Sequence, residues 1–356
     1  MKQAMPCVVL GLVLLLPNSS AGMRGKAHAS AVGAHAHPTR LPAAATGAAR
    51  VSSARCVPSM DYGDANGIAL DAYAHVYVAY VASYTDARSG IEIQKRSRTG
   101  TLLATWTLRG GVPAHLRHPT GIAVDAQAAL YVVSPATSRI YKVSATGTLL
   151  ATWGAKGAGL GQLDSPVGVA VDGRGHVYVT DRGNNRIQTF SAMGTPLAVW
   201  GKKHDRTHPG QFALPAGIAV DAHGTVYVAD ENSTTLILSP EGKTLHAWGS
   251  KGDQPGQFRH PVGLAVDLRG RLYVADKLNA RIQTFSADGT ALTRWGTGDG
   301  ATGWFAPQGA QGGQPAFPTG IALDSDGNSY VMEGWCSSRI QKFSPAGTSL
   351  ATWAVQ

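Results

Sequence analysis

No window of ten or more residues after position 30 carries the apolar spacing of an amphipathic helix, which excludes a helical bundle and an α/β sheet for the body of the chain. The apolar run from Cys7 to Leu16 is too short to span a bilayer and has the length of a signal-peptide core. Cysteine is nearly absent, with only Cys7, Cys56 and Cys336, so neither a disulfide-dense scaffold nor a cysteine/histidine metal cluster is in prospect. Gly-x-Ser-x-Gly and His-Glu-x-x-His are missing, which removes the nucleophile elbow and the zincin helix. Acidic residues are the minority charge, 22 against 31 basic ones for a net +9, and a basic chain is suited to anionic partners.

What is present is a repeat. Trp106, Trp153, Trp200, Trp248, Trp295 and Trp353 recur at intervals of 47, 47, 48, 47 and 58 residues. Each closes a unit opened by Gly-aliphatic-Ala-aliphatic-Asp, with the acids at Asp71, Asp125, Asp172, Asp221, Asp267 and Asp324. Self-similarity at this period marks propellers and solenoids. In the third unit Val169–Val171 is a short apolar run, Val177–Thr180 is β-branched and aromatic, Arg186–Phe190 alternates, and Leu197–Trp200 ends the unit. Asp172–Gly175, Asp181–Asn185 and Ser191–Gly194 supply the turn residues between them. Four short strands cannot bury both faces alone, whereas six such sheets around a channel cover one another. The expected fold is all-β, a six-bladed β-propeller of four-stranded antiparallel blades.

Pro-x-Gly-Ile-Ala-Val-Asp, Val-Tyr-Val-Ala-Asp and Asn-x-Arg-Ile-Gln-x-Phe resemble the NHL repeat, over roughly residues 60 to 356 and most closely in units three and five. Unit one departs: an insertion lies between Tyr80 and Ile91, Glu92 stands where other units have Arg, and Arg96 stands where they have Phe or Val. The resemblance implies kinship with the propellers of exported receptor-kinase sensor domains and of peptidyl-amidoglycolate lyase. In that lyase, zinc-binding histidines occupy the x of Pro-x-aliphatic motifs. The matching residues here are Asn66, Thr120, Val167, Ala216, Val262 and Thr319, none a histidine, and Trp335 stands where the lyase has a tyrosine. His118 and His260 share one repeat position but lie in units two and five, too few and too far apart for a zinc site.

The reading divides the chain into a signal peptide over 1–29, with cleavage after Ala21 or Ala29, a disordered Ala/His/Pro-rich linker over 30–58, and the propeller over 59–356. It expects a secreted, periplasmic or cell-surface protein with no transmembrane segment after cleavage. In an oxidising compartment Cys56, in the linker entering blade one, and Cys336, between the second and third strands of blade six, are expected to form a disulfide that latches the ring.

Asp181, Asp230, Asp276 and Glu333 end second strands, and Arg139, Arg186, Arg281 and Arg339 begin third strands. Repetition in unit after unit favours scaffolding pairs over a polar site. The Gly-Gln frames at Gly161, Gly210, Gly256 and Gly313 are expected to staple one blade to the next. The candidate binding face comprises Arg139, Arg186, Arg281 and Arg339 with the loop residues Lys202, Lys203, Arg206 and Arg259, made more basic by Lys251 and Lys277, and Trp304, Phe305 and Trp335 would give it aromatic anchors. The functional expectation is a non-catalytic binding module for a protein, a glycan or an anionic cell-surface polymer, with nucleic acid disfavoured by export and no cofactor. The alternative is a lyase or lactone hydrolase with a divalent cation in the channel.

Overall fold

The computed structural model describes residues 67–81, 91–108, 121–201, 211–296, 317–334 and 339–355. They form six four-stranded antiparallel sheets, each built from four consecutive strands, so no blade borrows a strand from another. Blade three is the pattern: Pro166–Val171, Val177–Asp181, Arg186–Phe190 and Pro196–Trp200. The first strand of each blade touches the first strand of the next, and Phe317–Leu323 of blade six touches Gly67–Leu70 of blade one. The sheets therefore close into a β-propeller, with two short 3-10 turns, Arg182–Asn184 and Lys277–Asn279, as the helical content among the described residues.

Glycine sets how closely the inner strands approach. A Cβ on Gly121 would lie 2.6 Å from the Val167 carbonyl oxygen, and one on Gly217 2.3 Å from that of Val262. Only a residue without a side chain permits that backbone contact. The six inner strands together line a narrow cavity of about 80 Å³. Its wall consists of glycines and small or aliphatic residues, among them Ile68, Ile122, Ile218 and Leu264.

The hydrophobic core lies between blades rather than within them. Tyr131, Val133 and Ile140 of blade two pack with Val169, Val177, Val179 and Phe190 of blade three, and the same arrangement recurs at each seam. At the closing seam Ile68, Val76 and Val78 meet Tyr330, Met332, Ile340 and Val355. Each fully buried aromatic or aliphatic side chain contributes about 1.5–3 kcal/mol, so an isolated blade would expose most of its stabilising surface.

The tryptophan period now has a cause. The ring of Trp106 covers Gly147 of blade two, Trp153 covers Gly194 of blade three, and so on around the circle until Trp353 of blade six covers Gly100 of blade one. Each of these glycines adopts positive φ in the Ser-x-x-Gly turn, where an L side chain would be strained even without the indole above it.

The Asp ending each first strand ties a turn to the next strand. Asp172 accepts from the backbone N–H of Arg174 and His176 and from the Tyr178 hydroxyl at 3.1 Å. Burial and Asp221 together push the Tyr227 hydroxyl up to about 12, which keeps it a donor at neutral pH. The same Asp–Tyr bond holds in five blades, while in blade five Arg271 takes Asp267.

Blade one's departures are answered by the seam. Glu92 accepts from Tyr80, and Arg96 reaches out of its blade to the Val355 carbonyl at 3.2 Å while donating to Gly100 O and Gln94 Oε1. Arg96 is buried, and burial lowers its pKa from the ordinary guanidinium value.

Candidate binding face

In an antiparallel meander the loops joining second to third strands emerge on the same face as the linkers between blades. On that face one cross-strand pair recurs at the same register in all six blades: Tyr80 with Glu92, Ser134 with Arg139, Asp181 with Arg186, Asp230 with Thr234, Asp276 with Arg281, and Glu333 with Arg339.

In blades three and five the pair is a buried clamp. Arg186 Nε donates to Asp181 Oδ2 at 2.6 Å, and its terminal nitrogens donate to the carbonyls of Ala158, Gly159 and Gln162 in the preceding linker. Arg281 repeats this with Asp276 at 2.8 Å and the carbonyls of Asp253, Gln254 and Gln257. The carboxylates also accept linker N–H groups, Asp164 onto Asp181 and Arg259 onto Asp276, each at 2.7 Å. Gln188 and Gln283 bind the same linkers, and Leu163 and Phe258 are fully buried beneath them. The Gly-Gln frames at Gly161 and Gly256 are therefore staples, as expected, while Gly210 and Gly313 lie outside the described residues. In blade six Glu333 pairs with Arg339 and Gln341.

These clamps correct the expected binding set. Arg186 and Arg281 are 8% and 7% exposed, with their N–H groups directed at a carboxylate and carbonyls, so they are structural and not presented to a ligand. Arg339 is half-buried against Glu333. Arg259 and Arg139 do lie exposed. Lys202, Lys203, Arg206, Trp304, Phe305, Trp335, Cys56, Cys336 and His118 fall outside the described residues.

Two blades break the pair in opposite senses. Blade two keeps the guanidinium, Arg139, but has Ser134 in place of the carboxylate. Blade four keeps the carboxylate, Asp230, but has Thr234 in place of the guanidinium. Asp230 is buried and held by the N–H groups of Ala213, Leu214 and Asn232, and burial pushes its carboxyl above the ordinary range.

A cluster that the repeat pattern does not reveal joins three blades. Glu231 Oε2 receives Arg182 Nη2 of blade three at 2.5 Å and lies 3.3 Å from Nε2 of His260, the residue preceding blade five. Burial alone would raise the Glu231 carboxyl, but the His260 and Arg182 contacts hold it below its ordinary value. His260, weighed from sequence as a metal ligand, is placed against a carboxylate of the neighbouring blade. The signal in the sequence was Glu231 itself, a second acid beside the repeat-position Asp230.

Comparison with known proteins agrees with this architecture. The NHL repeat family matches residues 163–190 and 258–285, the first three strands of blades three and five. The chain is a β-propeller that carries NHL repeats in two of its blades. Among solved structures, a streptogramin B lyase superposes with a TM-score of 0.54 at 15% identity, covering 83% of this chain and 85% of that one. A chain of a nidogen/laminin complex gives 0.54 at 19%, covering 79% and 93%. Virginiamycin B lyase from Staphylococcus aureus gives 0.54 at 14%, covering 85% and 87%. At these identities the likeness is one of fold. No curated protein matches the sequence. Among the described residues of the NHL propeller, no three acids, histidines or cysteines converge as a metal would require.

Proposed function

We propose that this NHL propeller is a non-catalytic binding module, secreted or held at the cell surface, that engages an anionic polymer through the face bearing the blade linkers. The observation that carries the reading is an asymmetry of charge. Among the described residues, the exposed charges on the linker face are Arg139, Lys156, Lys251, Arg259 and Arg294 against Asp253. On the opposite face Arg98, Arg174, Lys243 and Arg269 are offset by Glu241, Asp288 and Asp326. A predominantly basic face attracts extended polyanions and loses that attraction in salt.

The described wall of the channel is made of glycine, alanine, valine, isoleucine, leucine and threonine. The discriminating experiment measures binding of the chain to immobilised polygalacturonate and polyphosphate at about 0.05 and 0.5 M salt. Retention at low salt and release at high salt is expected. Binding to neither polymer overturns the reading, and a stoichiometric, chelator-sensitive metal in the purified protein moves the assignment to the enzyme class.

A further inference from the structure

We infer that Arg139 is the ligand-binding arginine of this face, an oxyanion receptor created where blade two has lost its internal carboxylate. The inference rests on the proposed binding role of the face and adds the group and the chemistry that recognise the partner.

The fold itself shows what an arginine at this register binds. In blades three, five and six the guanidinium opening the third strand pairs with the carboxylate opposite it, at 2.6 Å for Arg186 and 2.8 Å for Arg281, and in blade six between Arg339 and Glu333. Blade two preserves the backbone register, Ser134 opposite Arg139, but a hydroxymethyl group replaces the acid. The Ser134 hydroxyl accepts from the Thr137 N–H at 3.4 Å and stays within its own turn. The glutamine that assists each neighbouring clamp is Tyr141 here, whose hydroxyl donates to Thr137 Oγ1 at 3.1 Å. The preceding linker reads Ala114-His115-Leu116 where the linkers entering blades three to six carry Gly-Gln. Carboxylate, glutamine and linker frame have all changed while the arginine has stayed.

The consequence is a change of environment. Arg186 and Arg281 are buried, whereas Arg139 is exposed, and among the described residues no carboxylate pairs with it. A guanidinium presents a planar fork matched to two oxygens of a carboxylate, sulfate or phosphate. The exposed Lys156, in the linker leaving the same blade, adds a second positive charge on this side of the face. A polymer with an oxyanion on each unit can place one of them on Arg139 and lay its neighbours along the remaining cations. The internal template is a carboxylate, so a carboxylated polymer is the favoured ligand and a phosphate or sulfate polymer the comparison.

The test uses the full chain and two probes of matched charge, polygalacturonate and polyphosphate. Arg139→Gln is expected to weaken polygalacturonate binding roughly tenfold without lowering the melting temperature, because the side chain holds no clamp; charge-assisted bonds are of that order. Arg139→Lys, which keeps the charge and loses the fork, should fall between. Ser134→Asp restores the carboxylate and should capture Arg139 internally, so affinity drops as in Arg139→Gln while the melting temperature rises. Arg174→Gln, on the opposite face, is the control and should bind as the parent does. Wild-type affinity in Arg139→Gln on both probes overturns this site and leaves the face reading standing. Failure of the unaltered chain to bind either probe overturns both. A larger loss on polyphosphate than on polygalacturonate overturns the carboxylate preference.

Discussion

Glycine and aspartate do most of the single-residue work, and their costs differ by position in ways the packing explains. Gly147 sits at φ 86, and a Cβ there would come within 1.9 Å of Trp106. Gly173 has no atom within 4 Å of its would-be Cβ. Gly147→Ala is therefore expected to cost about 2–4 kcal/mol in urea denaturation, and Gly173→Ala less than about 1. The acids show a second contrast. Asp276→Asn would leave the buried Arg281 without its counter-charge, a loss of about 3–5 kcal/mol. Asp230→Asn removes a carboxylate held by N–H groups alone, in a blade whose arginine position is Thr234, and should cost about 1–3 kcal/mol. Equal losses in the two variants would mean that the Arg281 pair adds nothing beyond its N–H bonds.

Between elements, the decisive contacts join a strand end of one blade to the linker or strand of its neighbour. The Arg182–Glu231–His260 cluster is the clearest case, because its three members come from three consecutive stretches of the ring. The folded-state pKa of Glu231 is depressed, so its contribution is fully present above the unfolded carboxylate value and is lost as pH falls through the lower folded value. Relative to Glu231→Gln, the parent chain should be more stable at neutral pH, and the difference should shrink as acidification protonates Glu231. A difference that does not change between neutral and acidic pH would show that the cluster stabilises by shape alone. Much of this layer was legible. The Ser-x-x-Gly turns, the strand order and the Gly-Gln staples follow from residue type and spacing. The Arg182 and His260 contacts were not, because no periodic feature brings those side chains to Glu231.

For the whole molecule the question is how the ring stays shut. The described residues close it through side chains: Trp353 over Gly100, Arg96 onto Val355, the seam core around Tyr330 and Met332, and an exposed pair of Arg98 with Asp326 at 3.7 Å. The proposed Cys56–Cys336 bridge would act on this same seam. Blade contacts are nearest-neighbour, so damage at one seam should stay local. Arg96→Met is expected to raise hydrogen exchange in Gly67–Leu70 and Ser349–Ala354 while blades three and four keep their protection. Uniform loss around the ring would show that the propeller opens as a single cooperative unit.

The sequence by itself determined the blade count, the four strands of each blade, the turns and the pairing of acids with arginines in blades three, five and six. Those features repeat, and repetition records a backbone demand that every blade must meet. Only the tertiary structure decided which arginines are free. Arg139, Arg186 and Arg281 occupy one motif position, yet the last two are enclosed by the linkers they hold while the first stands in solvent. Burial and charge pairing depend on what a neighbouring strand and linker place opposite a side chain, and that is settled when the blades assemble.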